Sequence, residues 1–284
     1  MDFELLNDFI DRALQEDIGG GDHTSNACIP KDQRSKAVLL VKDIGVLAGV
    51  DLAEKVFSKL DPRLKFKKLI ADGEDIKSGD VAFEIECNTR ALLKGERLTL
   101  NLLQRMSGIA TTSSRFAVEV EDLPVKLLDT RKTTPLMRFL EKWAVRIGGC
   151  YNYRHGLYDR IMLKDNHIDA AGGIQQAIYD VHRYLEEHDL DLALTIEVRN
   201  LVELHEVLDT GGVHRIMMDN FELPLLKEAV KIIDGKFETE ASGGINLYNV
   251  REYGLTGVDF ISVGALTHSA GSLDMSLKIS KRKI

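Results

Sequence analysis

The chain has 284 residues, of which 44% are hydrophobic and 29% charged, and its formal net charge is −8. This length predicts one large globular domain or two ordinary ones, and the acidic balance argues against a general nucleic-acid binder, which normally presents a basic surface. Because no apolar run reaches the ~18 residues of a membrane span and the acidic start does not resemble a signal peptide, we expect a cytoplasmic protein with no membrane partner.

The first hundred residues predict a small α+β domain. An amphipathic helix opens the chain, with the apolar residues Phe3, Leu6, Phe9, Ile10 and Leu14. After a turn-rich stretch, β-type runs follow at 37–41, 46–50 and 81–86. Cys28, Cys87 and Cys150 lie far apart without the spacing of metal ligands, which predicts buried, reduced thiols.

A longer amphipathic helix is predicted at 90–106. Arg97, Asn101 and Arg105 recur every four residues, so they share its polar side. Small polar residues at 108–114 then mark the predicted boundary between two domains.

The remainder of the chain alternates strands with helices. Strands are predicted at 125–128, 161–163, 192–198, 215–218, 237–241 and 260–263. Helices are predicted at 136–147, 174–187, 201–208, 223–233 and 247–253. Alternation of this kind predicts a parallel sheet, and the lack of a GxGxxG turn favours a βα barrel over an open dinucleotide-binding sheet.

Polar residues follow all six predicted strands, where a barrel carries its chemistry. The segment 126–164 contains nine basic and three acidic residues, a local net charge of +6. Within it, Arg131, Lys132, Arg154 and Lys164 form a candidate cationic wall for carboxylates or phosphates. Arg138, Lys142 and Arg146, four residues apart on the predicted outer helix, fit solvated surface charges better.

Two further groups of strand-end residues suit a phosphorylated substrate. Glu197 and Asp219 end adjacent strands, where two carboxylates suit Mg²⁺ bridged to substrate oxygens; singly, they fit helix caps or salt bridges. The loops at 242–244 and 264–265 are rich in glycine, which allows a phosphate to approach the backbone closely. Lys164 also permits Schiff-base chemistry, which requires a neutral amine.

These motifs resemble the quinolinate phosphoribosyltransferase family, also called carboxylating nicotinate-nucleotide pyrophosphorylases. The resemblance extends from Glu16 to Gly264, and its most specific stretches are NLLQRMSGIAT from Asn101, DTRKTTP from Asp129 and KDNH from Lys164. It implies an α/β fold with an N-terminal α+β sandwich-like domain at 1–110 and an incomplete, six- or seven-stranded βα barrel at 111–269. The tail at 270–284 is then expected to pack back on the first domain.

The resemblance implies a glycosyltransferase of de novo NAD biosynthesis. It transfers phosphoribosyl from phosphoribosyl pyrophosphate to quinolinate with Mg²⁺, and releases pyrophosphate and CO₂ with nicotinate mononucleotide. Arg131, Arg154 and Lys164 would hold the quinolinate carboxylates, and Lys132 would meet phosphate. Glu197 and Asp219 would face the ribose and metal, and Lys164, Glu197 and Asp219 would be catalytic. The 5′-phosphate site would comprise Ser242, Gly243, Gly264 and His268.

Two further implications concern Arg105 and Tyr153. In this family Arg105 would serve the partner subunit's site, so the protein is expected to be a homodimer or a higher oligomer. Tyr153 stands where the family often has histidine, and His155 lies two positions further on. A phenol can donate a hydrogen bond to a carboxylate but is not a cation at neutral pH, so we expect activity to survive with this contact weakened or rebuilt.

Three alternatives use the same residues differently. A paralogue associated with molybdenum transport shares the architecture, but the set Arg131, Arg154 and Lys164 is what two carboxylates need. A Schiff-base aldolase using Lys164 leaves Glu197, Asp219 and the glycine loops without roles. A noncatalytic anion-binding module would need the cations alone.

Overall fold

The computed structural model describes residues 3–280, except for the side chain of Phe3. One apolar residue of the predicted first helix, Phe3, therefore has no described side chain. Part of the acidic start and the last residues of the predicted tail also lie outside the described residues. Among the helices of this described part, none is long and apolar enough to cross a membrane.

The helices and strands alternate through most of the chain. The helices are α1 (Phe3–Ile18), α2 (His23–Cys28), α3 (Val50–Leu60), α4 (Thr89–Glu119), α5 (Arg138–Ile147), α6 (Asp165–Ala171), α7 (Ile174–Glu187), α8 (Leu201–Thr210), α9 (Leu223–Ile233), α10 (Val250–Gly254) and α11 (Ala265–His268). The strands are β1 (Arg34–Val41), β2 (Gly45–Val46), β3 (Lys65–Lys68), β4 (Asp75–Ile76), β5 (Val81–Asn88), β6 (Lys126–Leu128), β7 (Ile161–Leu163), β8 (Leu194–Val198), β9 (Arg215–Asp219), β10 (Glu238–Ser242), β11 (Phe260–Ser262) and β12 (Met275–Ile279).

The described residues divide into two compact units, 3–111 with 270–280, and 112–269. In the first unit, an antiparallel sheet has the order β12-β1-β5-β3, and β12 pairs with β1 from Ala37↔Ile279 to Val41↔Met275. One face of this sheet and the apolar side of α3 bury a core that includes Leu39, Phe57 and Phe83. The sequence predicts domain limits after residues 110 and 269.

The second unit is built on six parallel strands in the order β6-β11-β10-β9-β8-β7. All five residues of β8 are buried, as expected for a parallel strand covered on both faces. The strands β6 and β7 are the two ends of the sheet, and beyond β6 only an isolated parallel bridge, Leu128↔Tyr151, is formed among the described residues. The predicted fold class, an α/β protein with a small α+β part and an incomplete βα barrel, is confirmed, and the barrel sheet has six strands.

Several predicted elements differ from those observed. Helix α4 runs through the small polar residues at 108–114, where a break is predicted. Close packing explains the glycine at 108, because a Cβ there would lie 1.9 Å from the carbonyl oxygen of Gly271. The strand predicted at 46–50 ends at Val46, and Val50 begins α3 after Gly49, whose φ is +103°. The thiols of Cys87 and Cys150 are buried as predicted, but Cys28 is exposed.

Candidate active site

A cavity of about 910 Å³ lies at the carboxyl edge of the parallel sheet, and all six strands contribute to it through their last residues or the segments that follow them. Adjacent parallel strands bring their carboxyl ends to one edge, so residues distant in sequence meet there. Every predicted site residue of the second unit lines this cavity: Arg131, Lys132, Tyr153, Arg154, Lys164, Glu197, Asp219, Ser242, Gly243, Gly264 and His268.

Four cations line this cavity on the side of β6 and β7. Arg131 and Lys132 follow β6 and are exposed, while Arg154 and Lys164 are half-buried. Burial and the neighbouring charge of Arg131 lower the pKa of Arg154. An exposed and a partly desolvated guanidinium group near each other suit anionic oxygens, because each charge-assisted hydrogen bond contributes about 1.5–3 kcal/mol.

Lys164 is held by a carboxylate. Its Nζ donates to Glu197 Oε2 over 2.5 Å, and the two side chains are 43% and 9% exposed, respectively. Lys164 directly precedes α6, and its backbone N–H donates to His167 Nδ1 over 3.1 Å. An ammonium paired with a carboxylate is not the neutral amine that Schiff-base chemistry needs, so this geometry disfavours the aldolase reading.

Glu197 and Asp219 lie on neighbouring strands. Glu197 is paired in register with Met217, and Asp219 is two residues further along β9, on the same face as Met217. Asp219 Oδ2 accepts from Asn220 Nδ2 over 2.6 Å. Among the described residues, no group of three or more His, Cys, Asp or Glu side chains is arranged to hold a metal. Mg²⁺ commonly takes one or two carboxylates and fills its other positions with water and substrate phosphates, so this pair fits Mg²⁺ bound with a substrate.

The segments after β10 and β11 bring backbone close to the cavity. Gly243 has φ +97°, and a Cβ there would lie 2.2 Å from Asn220 Oδ1. After β11, a Cβ on Gly264 would lie 2.9 Å from His268 Nε2 and 3.2 Å from Lys132 Cδ. Thr267 Oγ1 donates to the carbonyl oxygen of Lys132 over 2.9 Å, which fixes the two segments to each other. Such exposed backbone beside cations suits a phosphate group.

Tyr153 is turned into the barrel interior. Its hydroxyl lies 2.7 Å from Thr195 Oγ1, and its ring lies 5.4 Å from the Arg160 guanidinium and 5.3 Å from that of Arg215. Burial raises the pKa of the Tyr153 phenol, which therefore stays protonated. The expected donor to a carboxylate is thus already hydrogen-bonded to a threonine, and His155, two residues further on, is exposed.

Arg138, Lys142 and Arg146 are predicted to be solvated surface charges, and the structure corrects this prediction for Lys142 and Arg138. Lys142 is fully buried and donates to Asp129, itself fully buried, instead of being solvated. Arg138 donates to Thr133 Oγ1 over 3.0 Å and to the His155 carbonyl over 2.9 Å, so it fastens loops. Arg146 is exposed as predicted. The four-residue spacing of these cations does not distinguish a buried lysine from an exposed arginine, because it does not reveal that Lys142 faces the buried carboxylate of Asp129.

A polar network inside the barrel also escaped the sequence analysis. Arg215 Nη1 donates to Glu240 Oε2 over 2.8 Å, and Ser262 Oγ donates to Glu240 Oε1 over 2.5 Å. Burial raises the pKa of Glu240, and Arg215 opposes this shift. The available signal was the presence of charged residues, Arg215 and Glu240, within predicted strands of a parallel sheet, where most residues are apolar.

Arg105 belongs to the first unit. Its Nη1 donates to the carbonyl oxygen of Ala270 over 2.6 Å. The predicted role of Arg105 at a partner subunit's site stays a prediction.

Together, a parallel βα barrel and a mouth of cations, paired carboxylates and glycine segments define an enzyme for a phosphorylated, anionic substrate. Residues 22–107 match the N-terminal domain and residues 109–278 the C-terminal domain of the family described as quinolinate phosphoribosyl transferase. The chain belongs to this family.

Relatives and solved structures agree with this membership. Quinolinate phosphoribosyltransferase (decarboxylating) 1b of Nicotiana tabacum is 45% identical, over 96% of this chain and 82% of its own length. A probable nicotinate-nucleotide pyrophosphorylase (carboxylating) of Bacillus subtilis is 41% identical, over 98% of this chain and 93% of its own. The crystal structure of NadC from Streptococcus pyogenes superposes with a TM-score of 0.92 at 38% identity, over 99% of both chains.

Proposed function

We propose that this protein transfers the phosphoribosyl group of phosphoribosyl pyrophosphate to quinolinate and decarboxylates the product. The products are nicotinate mononucleotide, pyrophosphate and CO₂, and the enzyme is a pentosyltransferase of de novo NAD biosynthesis. The observation that carries the proposal is the convergence of Arg131, Arg154 and Lys164 on a cavity that also contains Glu197 and Asp219. One cation per carboxylate is the minimum for a dicarboxylate, and this cavity offers more.

Quinolinate binds on the side of the cations. Arg131 and Arg154 present planar guanidinium groups that match carboxylates bidentately, and Lys164 adds a single positive charge. Because Lys164 is paired with Glu197 at 2.5 Å, an incoming carboxylate competes with Glu197 for the ammonium. The exchange leaves the Glu197 carboxylate available to the ribose.

Phosphoribosyl pyrophosphate binds towards β9, β10 and β11. Ser242, Gly243, Gly264 and His268 accept the 5′-phosphate beside exposed backbone, and Lys132 meets phosphate oxygens. Glu197 and Asp219 face the ribose hydroxyls. They would also hold Mg²⁺, which would supply positive charge to the leaving pyrophosphate.

The side chains then act on charge as it develops. Breaking the bond between the anomeric carbon and pyrophosphate makes that carbon positive, which nearby carboxylates favour, while Lys132 neutralises the leaving phosphates. The quinolinate nitrogen forms the new bond to the carbon. The positive ring then accepts the electron pair from the breaking C–C bond as CO₂ leaves, the ring carbon takes up a proton, and Lys164 holds the departing carboxylate until that bond breaks.

The assembly and location of the enzyme belong to the proposal. The active unit is a homodimer in which Arg105 reaches the partner's site. A cytoplasmic location is the expectation from the sequence, whereas the relative of Arabidopsis thaliana carries the description chloroplastic.

Incubation of the purified protein with quinolinate, phosphoribosyl pyrophosphate and Mg²⁺ tests the proposal. We expect nicotinate mononucleotide and CO₂ in equal amounts, and no CO₂ without phosphoribosyl pyrophosphate. Nicotinate in place of quinolinate is the control, because it lacks the second carboxylate. Turnover of nicotinate alone contradicts the dicarboxylate assignment, and no turnover of either acid favours a binding protein.

A further inference from the structure

Two oppositely charged side chains lie fully buried between β6 and α5. Asp129 and Lys142 each have 0% exposure, and Lys142 Nζ donates to Asp129 Oδ1. Neither side chain has surface with which to touch a substrate. A buried ion pair is also weak ground for stability, because desolvation of the two charges offsets most of their attraction. The contacts of the pair therefore indicate what it does.

The pair binds both polar groups of the Tyr153 main chain. The Tyr153 N–H donates to Asp129 Oδ1 over 2.9 Å, and Lys142 Nζ donates to the Tyr153 carbonyl oxygen over 3.3 Å. Just before, Tyr151 runs beside β6, with its N–H donating to the Leu127 carbonyl and its carbonyl accepting from the Asp129 N–H. The main-chain hydrogen bonds between the two segments end at Tyr151, and beyond it the side chains of Asp129 and Lys142 take over. They hold the main chain of Tyr153, the residue before Arg154.

Asn152 completes the same cluster. With its amide oriented to suit both neighbours, Nδ2 donates to the Lys142 carbonyl over 2.9 Å and to Asp129 Oδ2 over 2.8 Å. The carboxylate of Asp129 is therefore bonded on both oxygens. It lies two residues before Arg131, and the segment it holds leads directly into Arg154.

We propose that Asp129 and Lys142 are positioning residues, which fix the Tyr153 peptide and thereby set the spacing of the Arg131 and Arg154 guanidinium groups for a dicarboxylate. This inference rests on the proposed function, since it assigns a cause to the preference of the same site for two carboxylates. A rigid frame is needed because two guanidinium groups repel each other and must be held at a separation that one small ring can bridge.

The variant Lys142→Met tests the proposal, because it keeps an unbranched side chain as far as Cε and removes the Nζ that makes both hydrogen bonds. We expect the KM for quinolinate to rise at least about ten-fold, since a displacement of about 1 Å can change rates by about 10²-fold. The KM for phosphoribosyl pyrophosphate is expected to stay within about two-fold, because the glycine segments are held by other contacts. Calorimetric binding of quinolinate is expected to weaken in parallel, with a smaller effect on nicotinate.

Leu226→Ala is the matched control for lost stability. Leu226 is fully buried in α9 and lies outside the cluster, so its truncation should lower the thermal midpoint without a selective rise in the quinolinate KM. Asn152→Ala is the second probe should Lys142→Met fail to fold, since Asn152 is only half-buried; a smaller rise in the quinolinate KM is expected.

A quinolinate KM and affinity within two-fold of wild type in the folded variants overturn the inference. Equal rises in both KM values, matched by Leu226→Ala, overturn it as well, because they indicate general destabilisation. The proposed function fails separately: a wild-type protein that binds quinolinate but forms no nucleotide refutes the reaction, while the binding comparison still tests the positioning role. A wild-type protein that does not bind quinolinate overturns both.

Discussion

Replacing Gly243 with alanine tests the close approach of backbone segments at the cavity. Gly243 has φ +97°, and a Cβ at this position would lie 2.2 Å from Asn220 Oδ1, 2.5 Å from Asn220 Cγ and 2.9 Å from the Asn220 backbone nitrogen. The side chain of Asn220 can rotate away, but its backbone nitrogen donates to the Ser242 carbonyl over 2.8 Å and is held in place. Gly243→Ala must therefore separate the segments that follow β9 and β10.

The free energy of unfolding should fall by the sum of three effects. A left-handed backbone conformation costs a residue with a Cβ about 1–2 kcal/mol. Weakening the Asn220–Ser242 hydrogen bond adds about 1 kcal/mol, and displacement of neighbouring groups adds about 1 kcal/mol more. For a domain of this size, a loss of about 3–4 kcal/mol lowers the thermal midpoint by roughly 6–16 °C.

Gly244→Ala is the matched control, since Gly244 has φ +63° and a Cβ there would meet no atom within 4 Å. It carries the backbone penalty alone, about 1–2 kcal/mol. Thermal unfolding and steady-state kinetics measure both variants. Because Asn220 adjoins Asp219, we expect Gly243→Ala to raise the KM for phosphoribosyl pyrophosphate at least about ten-fold, and Gly244→Ala less than about three-fold. Equal losses in the two variants would refute the reasoning from close approach.

Three further experiments address separate assignments. Asp219→Asn should lower turnover by roughly 10- to 150-fold, the equivalent of one lost charge-assisted contact, and flatten the response to Mg²⁺; an unchanged Mg²⁺ titration contradicts the metal assignment. Tyr153→Phe should lower the free energy of unfolding by about 1–3 kcal/mol, because it leaves the buried Thr195 hydroxyl unpaired. A ten-fold loss of quinolinate affinity without destabilisation would instead indicate that the phenol contacts the substrate. Inactive Arg105→Ala subunits mixed and reassembled with Lys164→Ala subunits should recover about a quarter of wild-type activity if each site combines the two chains, and no recovery in verified mixed dimers contradicts sharing.

The sequence predicts the parallel sheet well because its signals are local. Most strands of the barrel contain a short apolar run before a polar segment, and β7 is observed at its predicted limits, Ile161–Leu163. Short elements whose pairing depends on distant residues were missed, including β3, the charged strand Lys65–Lys68, which is set by its partner β5. The prediction ends the long helix α4 too early, at residue 106. In sequence, a glycine needed for close packing, such as Gly108, resembles a glycine that ends a helix.

The candidate site could be predicted as far as strand ends determine it. Residues at the end of a strand or directly after it, such as Asp219 and Lys164, must reach the mouth, whereas the inward positions within strands become visible only when partners are known. Arg215 and Glu240 illustrate this limit, since their 2.8 Å contact joins residues on two strands. Long-range pairs of this kind decide which charges face the substrate.

The local charge excess of +6 in the segment 126–164 therefore divides into charges with different physical tasks. Lys142 cancels Asp129 in the interior, and Arg138 is engaged by loop oxygens, so neither adds to the attraction for an anionic substrate. The exposed Arg131 and Lys132 and the half-buried Arg154 and Lys164 supply that attraction. A buried pair contributes little net stability, so its value to this fold lies in holding the arginines that remain accessible. An acidic residue in place of Lys142 should accordingly weaken the binding of quinolinate by more than the change in the charge of the cavity alone explains.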